Sequence, residues 1–281
     1  MKKTSFKSKK IGIVGVGMVG GALKRYFEKK GIKPFLFDKN KKLGSPEEVN
    51  LADIIFICVP TPFDKKKGFD LSYVKEAILN IKGKKIIVIK STVIPGTTEN
   101  LQKKFPQHTF LFNPEFLREK DPWGTFVNGD LQIVGYTKKS KNLAEQILQL
   151  LPKGKNFTGI MPAVAAEIIK QAVNSFLAMK VVFANQIYEL TKTMKLDYNF
   201  VKMGLENESR LGKSHFDVFY ENYQGFGGKC LPKDISALIV FYKKLKLKPD
   251  LFETVWKINF QYLKKQKLLK RLYKDWLKNK S

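Results

Sequence analysis

Arginine is nearly missing from this chain. Only four of its 52 basic residues are arginine (Arg25, Arg118, Arg210 and Arg271); the rest are lysine, and against 25 acidic residues they give a net charge of +27. Proteins that read nucleic-acid phosphates concentrate arginine with aromatics on one face. Here the lysines are scattered, in runs such as Lys7–Lys10, Lys39–Lys42 and Lys65–Lys67. A lysine-rich surface is expected, with no nucleic-acid partner, although its field can gather an anionic substrate. Cysteine is as scarce, at two residues. Two thiols, one of them inside an apolar run, make no disulfide framework, so a reducing cytoplasm is the expected location. No apolar run reaches the roughly 18 residues that span a bilayer, so no membrane partner is expected. The basic start, Met1–Lys10, leads into a glycine-interrupted run that belongs to a strand and not to a signal peptide. Repeats and low-complexity linkers are absent as well. At 281 residues and 43% hydrophobic content, two domains are expected.

What is present centres on Gly225–Asp234, which reads Gly-Phe-Gly-Gly-Lys-Cys-Leu-Pro-Lys-Asp. Glycines before Cys230 would let backbone come close to whatever the thiol attacks. Pro232 suits the first turn of a helix, where its missing N–H has no intrahelical partner to lose. Cys230 would then precede a helix N-terminus, with Lys229 and Lys233 nearby, and both the dipole and the ammonium groups favour the thiolate. Asp234 falls four residues later, within reach of a water attacking a bond to sulfur. The alternative is a buried structural cysteine in a glycine-rich turn.

The chain opens with an apolar run, residues 10–15, as a buried parallel strand would. Gly15-x-Gly17-x-x-Gly20 follows, then a helical pattern over Ala22–Lys30 and a second run, Pro34–Phe37, ending at Asp38. This is the dinucleotide fingerprint in its required context. The glycines, with Met18 and Val19, bring backbone to the pyrophosphate, and Asp38 can accept from a ribose 2′-OH, which favours NAD over NADP. Further strands are expected over Asp53–Val59, Lys85–Lys90, Thr109–Phe112 and Leu131–Gly135. Helices are expected over Leu71–Ile81, Thr97–Phe105 and Ser140–Leu151. The alternation predicts an α/β fold: an N-terminal Rossmann-type doubly wound parallel sheet (1–159), then an all-helical domain with a long helix (160–281). Ligands bind such sheets at the strand carboxyl ends, where Pro60-Thr61-Pro62, Ser91-Thr92 and Asn113–Glu119 lie. Cys58, inside an apolar run, is expected to be inert.

From Met161 to about Thr193, Val164, Ile168, Ile169, Val173, Leu177, Val181 and Ile187 recur at helical spacing. Lys170 and Asn174 share a face of that helix. Buried, they could stabilise an oxyanion; otherwise they are two ordinary surface residues. The domain boundary is placed near Gly159. After Cys230 a helix over Lys233–Lys246 and a last amphipathic one from about Glu253 to Asn279, carrying Trp256 and Trp276, complete the expectation.

Taken in order, Gly15-x-Gly17-x-x-Gly20, Val59-Pro60-Thr61-Pro62, Lys90-Ser91-Thr92, Asn113–Glu119, Lys170-x-x-x-Asn174, Ser209-Arg210-Leu211-Gly212 and Gly225–Asp234 resemble the UDP-glucose/GDP-mannose dehydrogenase family, most closely its UDP-glucose 6-dehydrogenase branch. The resemblance runs from Ile11 to about Phe260. It implies an NAD-dependent, four-electron oxidation of a nucleotide-sugar C6 alcohol to a carboxylate. Cys230 would attack the intermediate aldehyde; the thiohemiacetal would become a thioester, which water hydrolyses. Lys170 and Asn174 match positions that stabilise the charged oxygen, and Asp234, Glu119 and Thr92 match positions that handle water and proton. Glu115, Phe116, Leu117 and Arg118 match the substrate loop, with Phe226 and Gly227 beside Cys230. Val59, Pro60, Thr61, Ser91, Thr92, Glu119 and Lys233 match cofactor contacts. Arg210 matches an arginine that reaches a neighbouring subunit's site, which implies a homodimer through the long helices. No metal is implied, and no histidine is needed, in keeping with only His108 and His215. Two departures stand out. Relatives usually continue into a second Rossmann-like domain that holds the nucleotide, and Phe219–Tyr223 replaces a stretch usually rich in proline and glycine. The sugar nucleotide is therefore expected to be held weakly, by a neighbouring subunit or by a separate partner, or to be replaced by a smaller sugar derivative.

Overall fold

The computed structural model describes residues 9–273. In chain order the elements of the first part are β1 (Ile11–Val14), α1 (Met18–Lys29), β2 (Phe35–Asp38), β3 (Leu43–Gly44), α2 (Pro46–Val49), β4 (Ile54–Ile57), β5 (Phe63–Asp64), β6 (Gly68–Phe69), α3 (Ser72–Leu79), β7 (Ile86–Ile89), α4 (Thr97–Lys104), β8 (Thr109–Phe112), α5 (Pro122–Val127), β9 (Leu131–Tyr136), α6 (Ala144–Leu150) and β10 (Phe157–Pro162). Then come α7 (Ala163–Thr193), α8 (Tyr198–Asn207), α9 (Leu231–Lys244), α10 (Asp250–Lys265) and α11 (Leu269–Leu272). The chain divides into two compact units: residues up to 62 with 69–170, and residues 63–68 with 171 onward. Gly159, the expected boundary, lies within β10, and the division falls inside α7 between Lys170 and Gln171.

In the first unit eight strands are ordered β10-β9-β8-β7-β4-β1-β2-β3. The alternation of apolar residues on the central strands buries both faces. Ile54 and Phe56 pack with Leu23, Phe27 and Ile147, while Ile55 and Ile57 pack with Val74, Ile78 and Leu101. That is why these strands read as unbroken apolar runs, with helices covering each side. The sheet expected to be parallel is mostly so, with two exceptions: β8 pairs with β9, and β2 with β3, antiparallel. Between β8 and β9 stands α5, and the two strands run in opposite directions. β10 escaped the sequence reading because four of its six residues are exposed at the sheet edge, leaving no apolar alternation.

One cap crosses a long sequence distance. Glu167 is fully buried; its carboxylate accepts from Gly96 N (2.6 Å), Thr98 N (2.8 Å) and Thr98 Oγ1 (2.6 Å), closing the start of α4. Burial pushes its carboxyl up to about 6.

The core of the second unit joins Ala178, Val181 and Val182 of α7 to Ile235 and Ile239 of α9, Val255 of α10 and Phe226. The unit is not wholly helical, since residues 63–68 belong to it and include β5. The expected single helix from Glu253 to Asn279 is broken. Lys267 takes φ 59°, and the Leu268 N–H turns back to the Leu263 carbonyl at 2.9 Å, a Schellman ending for α10 before α11 begins. Lys195 and Lys246, with φ 56° and 59°, end α7 and α9 in the same left-handed way. Trp276 and Asn279 lie outside the described residues.

Candidate functional site

The fingerprint turn follows β1, at the point where the sheet order reverses between β1 and β4. Gly15 has φ +87°, and a Cβ on it would stand 2.8 Å from the Cys58 carbonyl group. A Cβ on Gly20 would run into the Gly15 carbonyl oxygen. Gly17 differs: it is exposed, and nothing lies within 4 Å of where its Cβ would be. Two glycines close the turn, and the third leaves bare backbone at the start of α1, where no side chain caps the first amides. Met18 and Val19 open that helix, so the turn fits a pyrophosphate. Asp38 ends β2 as expected. Its Oδ2 accepts from Val16 N at 2.7 Å and its Oδ1 from Lys41 N at 3.0 Å, so it also braces the turn. Each carboxylate oxygen keeps a second acceptor site for a hydroxyl.

The neighbouring strand ends are tied to each other. Thr61 Oγ1 donates to the Thr92 carbonyl at 2.7 Å, and Ser91 Oγ to the Val59 carbonyl at 2.6 Å. The segment Val59-Pro60-Thr61 is thereby fixed against Ser91-Thr92. Cys58, just before it, is half-buried, and burial pushes its thiol up to about 12. A thiol so shifted carries little nucleophilic thiolate at neutral pH.

At the ends of β7 and β8 stands a buried ion pair. Lys90 Nζ, enclosed on all sides, donates to Asn113 Oδ1 (2.7 Å) and pairs with Glu115 Oε2 (3.0 Å). Asn113 Nδ2 in turn donates to Gln132 Oε1 and the Ile133 carbonyl, both at 2.7 Å. Glu115 Oε1 accepts from Phe116 N (3.0 Å) and Leu117 N (3.1 Å), so one carboxylate shapes the start of this loop. Further on, Arg118 N donates to Thr125 Oγ1 at 2.9 Å, and Arg118 and Glu119 are exposed. Lys170 is buried on α7 with its ammonium 5.1 Å from the centre of the Phe116 ring.

In the second unit Asn174 sits one turn after Lys170 and is buried too, so the two are not the ordinary surface pair of the other reading. Its Nδ2 donates to Asp234 Oδ2, and Lys233 Nζ donates to Asp234 Oδ1 at 2.6 Å. Asp234 is 1% exposed. It lies in the first turn of α9, where its N–H meets the Cys230 carbonyl at 2.9 Å, so Cys230 is the N-cap and Pro232 falls in the first turn as expected. Cys230 is exposed, which excludes the buried structural cysteine of the other reading.

The glycines before it are used differently from expectation. A Cβ on Gly225 (φ +89°) would lie 2.6 Å from Asn259 Oδ1, and one on Gly227 would press on the Tyr223 hydroxyl. Only Gly228 (φ +73°) faces open space. Two of the three are small because their own unit packs against them.

Residues 42–151 match the NAD binding domain of the UDP-glucose/GDP-mannose dehydrogenase family, and residues 164–261 match its central domain. The chain belongs to the UDP-glucose/GDP-mannose dehydrogenase family. Among its relatives, the UDP-glucose 6-dehydrogenase of Rickettsia bellii is 35% identical over 222 residues, covering 76% of this chain and 50% of that protein. UDP-glucose 6-dehydrogenase TuaD of Bacillus subtilis is 34% identical over 226 residues, covering 76% of this chain and 48% of that protein. The chain thus spans about half the length of these relatives. A solved UDP-glucose dehydrogenase from the hyperthermophilic archaeon Pyrobaculum islandicum superposes with a TM-score of 0.81 at 27% identity, over 97% of this chain and 73% of that one.

As a UDP-glucose/GDP-mannose dehydrogenase family chain, its first unit carries the family's NAD-binding domain. Its Arg210 is exposed and held bidentately by Glu208, Nε to Oε1 at 2.9 Å and Nη2 to Oε2 at 3.0 Å. Phe226 is buried and Gly227 half-buried in the stretch before Cys230. Sequence reasoning missed Lys90 and Asn113 as buried anchors, although Lys90 stood in a quoted motif. A lysine closing an Ile-Ile-Val-Ile run was the available signal, since a cation there needs a carboxylate nearby. Among the described residues no helix is long and apolar enough to cross a membrane, and no group of three or more metal-ligating side chains occurs.

Proposed function

We propose that the chain oxidises the C6 alcohol of a nucleotide sugar to a carboxylate, with UDP-glucose as the first substrate to test and Cys230 as covalent nucleophile. Overall one water enters, and two hydrides and three protons leave. NAD+ supplies the hydride acceptor, and Gly15, Gly17, Gly20 and Asp38 are the residues that would hold it. The observation that carries the reading is the buried Asp234, fixed by Asn174 and Lys233 one turn into a helix whose N-cap is an exposed cysteine. The start of a helix favours the thiolate, which adds to the C6 aldehyde. Lys170 and Asn174 donate to the oxygen that becomes negative as sulfur bonds to carbon. Asp234, with Glu119 and Thr92, handles the water that later cleaves the thioester and the proton it releases. Glu115, through Lys90 and the Phe116 and Leu117 amides, shapes the loop that receives the sugar.

The reading includes a homodimer. Phe176, Phe183 and Leu190, seven residues apart along α7, are each about half exposed, and Met194 extends the stripe. Apolar residues at that spacing form the seam of paired helices. Lys180 of α7 donates to the Leu211 carbonyl at 3.0 Å, so a second copy covering this stripe would lie beside Arg210. Phe183→Glu is expected to turn a dimer into a monomer in analytical ultracentrifugation; a wild-type monomer would sink this part of the reading.

Absorbance at 340 nm tests the chemistry. Two NADH per UDP-glucose consumed are expected. One NADH per sugar would mean a simple alcohol oxidation that makes no use of the cysteine. No NADH with any nucleotide sugar, while NAD still binds, would replace the reading with an NAD-binding chain that turns over only with a partner.

A further inference from the structure

The backbone leading into Cys230 is held by two side-chain amides of one helix. Asn259, fully buried on α10, accepts from Phe226 N at 2.6 Å and donates to the Phe226 carbonyl at 2.9 Å. Gln266, two turns further at the end of α10, accepts from Gln224 N at 2.9 Å and donates to the Gln224 carbonyl at 3.0 Å. Each amide therefore closes a two-bond ring with one peptide residue, as a neighbouring β-strand would. Tyr273 completes the grip: its hydroxyl donates to the Phe226 carbonyl at 3.1 Å and accepts from Asn259 Nδ2 at 3.0 Å. Between the two anchored residues, Gly225 gives its N–H to Asn185 Oδ1 at 3.3 Å. It is also the glycine whose missing Cβ makes room for Asn259 Oδ1.

A loop without strand partners has no backbone ladder of its own, and an unpaired buried N–H or C=O is costly. Gln224 and Phe226 meet both needs through the Gln266 and Asn259 amides, and the Gly225 N–H is met by Asn185 of α7. Only three residues separate Phe226 from Cys230, and among them Gly228, at φ +73°, holds a backbone turn that other residues rarely adopt. The start of α9 is thus pinned on one side by the Asn174–Asp234 bond and on the other by the α10 amides.

We infer that Asn259 and Gln266 are positioning residues for Cys230, an inference that rests on Cys230 being the nucleophile. They touch no reacting atom; they fix the segment from which the thiol is presented. Asn259→Asp and Gln266→Glu keep the acceptor and replace the donor by a second acceptor, which then faces a carbonyl. A displacement of about 1 Å at a reacting group costs roughly 10–100-fold in rate. Either variant is expected to lower kcat by that factor with Kd for NAD unchanged, and to change the rate of Cys230 alkylation by iodoacetamide several-fold. Circular dichroism of each variant under the assay conditions separates this from a loss of folding, because a positioning role lowers kcat while the helical signal stays that of the wild type. Gln266 is half-buried at a helix end, so Gln266→Ala keeps the test open if an Asn259 variant does not fold. Unchanged alkylation and kcat in the Gln266 variants would overturn the inference. If the wild type makes no NADH, the functional reading fails by itself, while the alkylation rates still decide whether α10 positions the thiol.

Discussion

Cys230→Ser is expected to lower formation of the second NADH and of the carboxylate from UDP-glucose by at least about a thousandfold, leaving NAD affinity unchanged. A serine hydroxyl keeps the size and nearly the position of the thiol, but the helix terminus that favours a thiolate does not ionise an alcohol. The glycine turn that fits the cofactor lies in the other compact unit, so its affinity is an internal control. The first oxidation does not require the sulfur. Any residual activity should therefore yield one NADH per sugar and release aldehyde, detectable with a hydrazine trap. A serine variant that still makes two NADH per sugar at an undiminished rate would remove Cys230 from the mechanism. It would leave Asp234 and a bound water as the only route to the carboxylate.

Lys90→Met is expected to destabilise the first unit by about 3–5 kcal/mol, the usual cost of leaving one member of a buried ion pair alone. Methionine matches the length of the stem but offers nothing to Glu115 Oε2 or Asn113 Oδ1. The double variant Lys90→Met, Glu115→Gln removes both charges and should recover more than half of that loss, since a neutral amide has far less to lose on burial. Urea unfolding followed by circular dichroism gives both values. Equal losses in the single and double variants would mean that the packing of the lysine stem matters and the charge pair does not.

Much of the first unit could be read from local pattern. The run at 11–14, the three glycines, the helix after them and the acid at Asp38 are all close in sequence, and each has a single structural use. Cys230 at a helix start was legible for the same reason, because Pro232 marks the first turn. What escaped depends on distance. Glu167 caps a helix 69 residues away in sequence, and Asn259 and Gln266 bind backbone 33 and 42 residues before them. Composition carries no trace of such pairings. The break after α10 was hidden because lysine stands at the left-handed position where glycine would have announced it. The glycines before Cys230 were read as room for a substrate, whereas Gly225 and Gly227 are small because Asn259 and Tyr223 occupy the space.

The two thiols of this chain live in opposite conditions, and the contrast sets where peroxide would strike. Burial pushes the Cys58 thiol up to about 12, so an oxidant meets little thiolate there. Cys230 stands exposed at a helix start, the setting in which sulfur passes to sulfenic acid. Cys58, held as the neutral thiol, is a poor resolving partner for that product. Of the two thiols, Cys230 is therefore the one peroxide reaches first, at the atom on which the proposed chemistry depends.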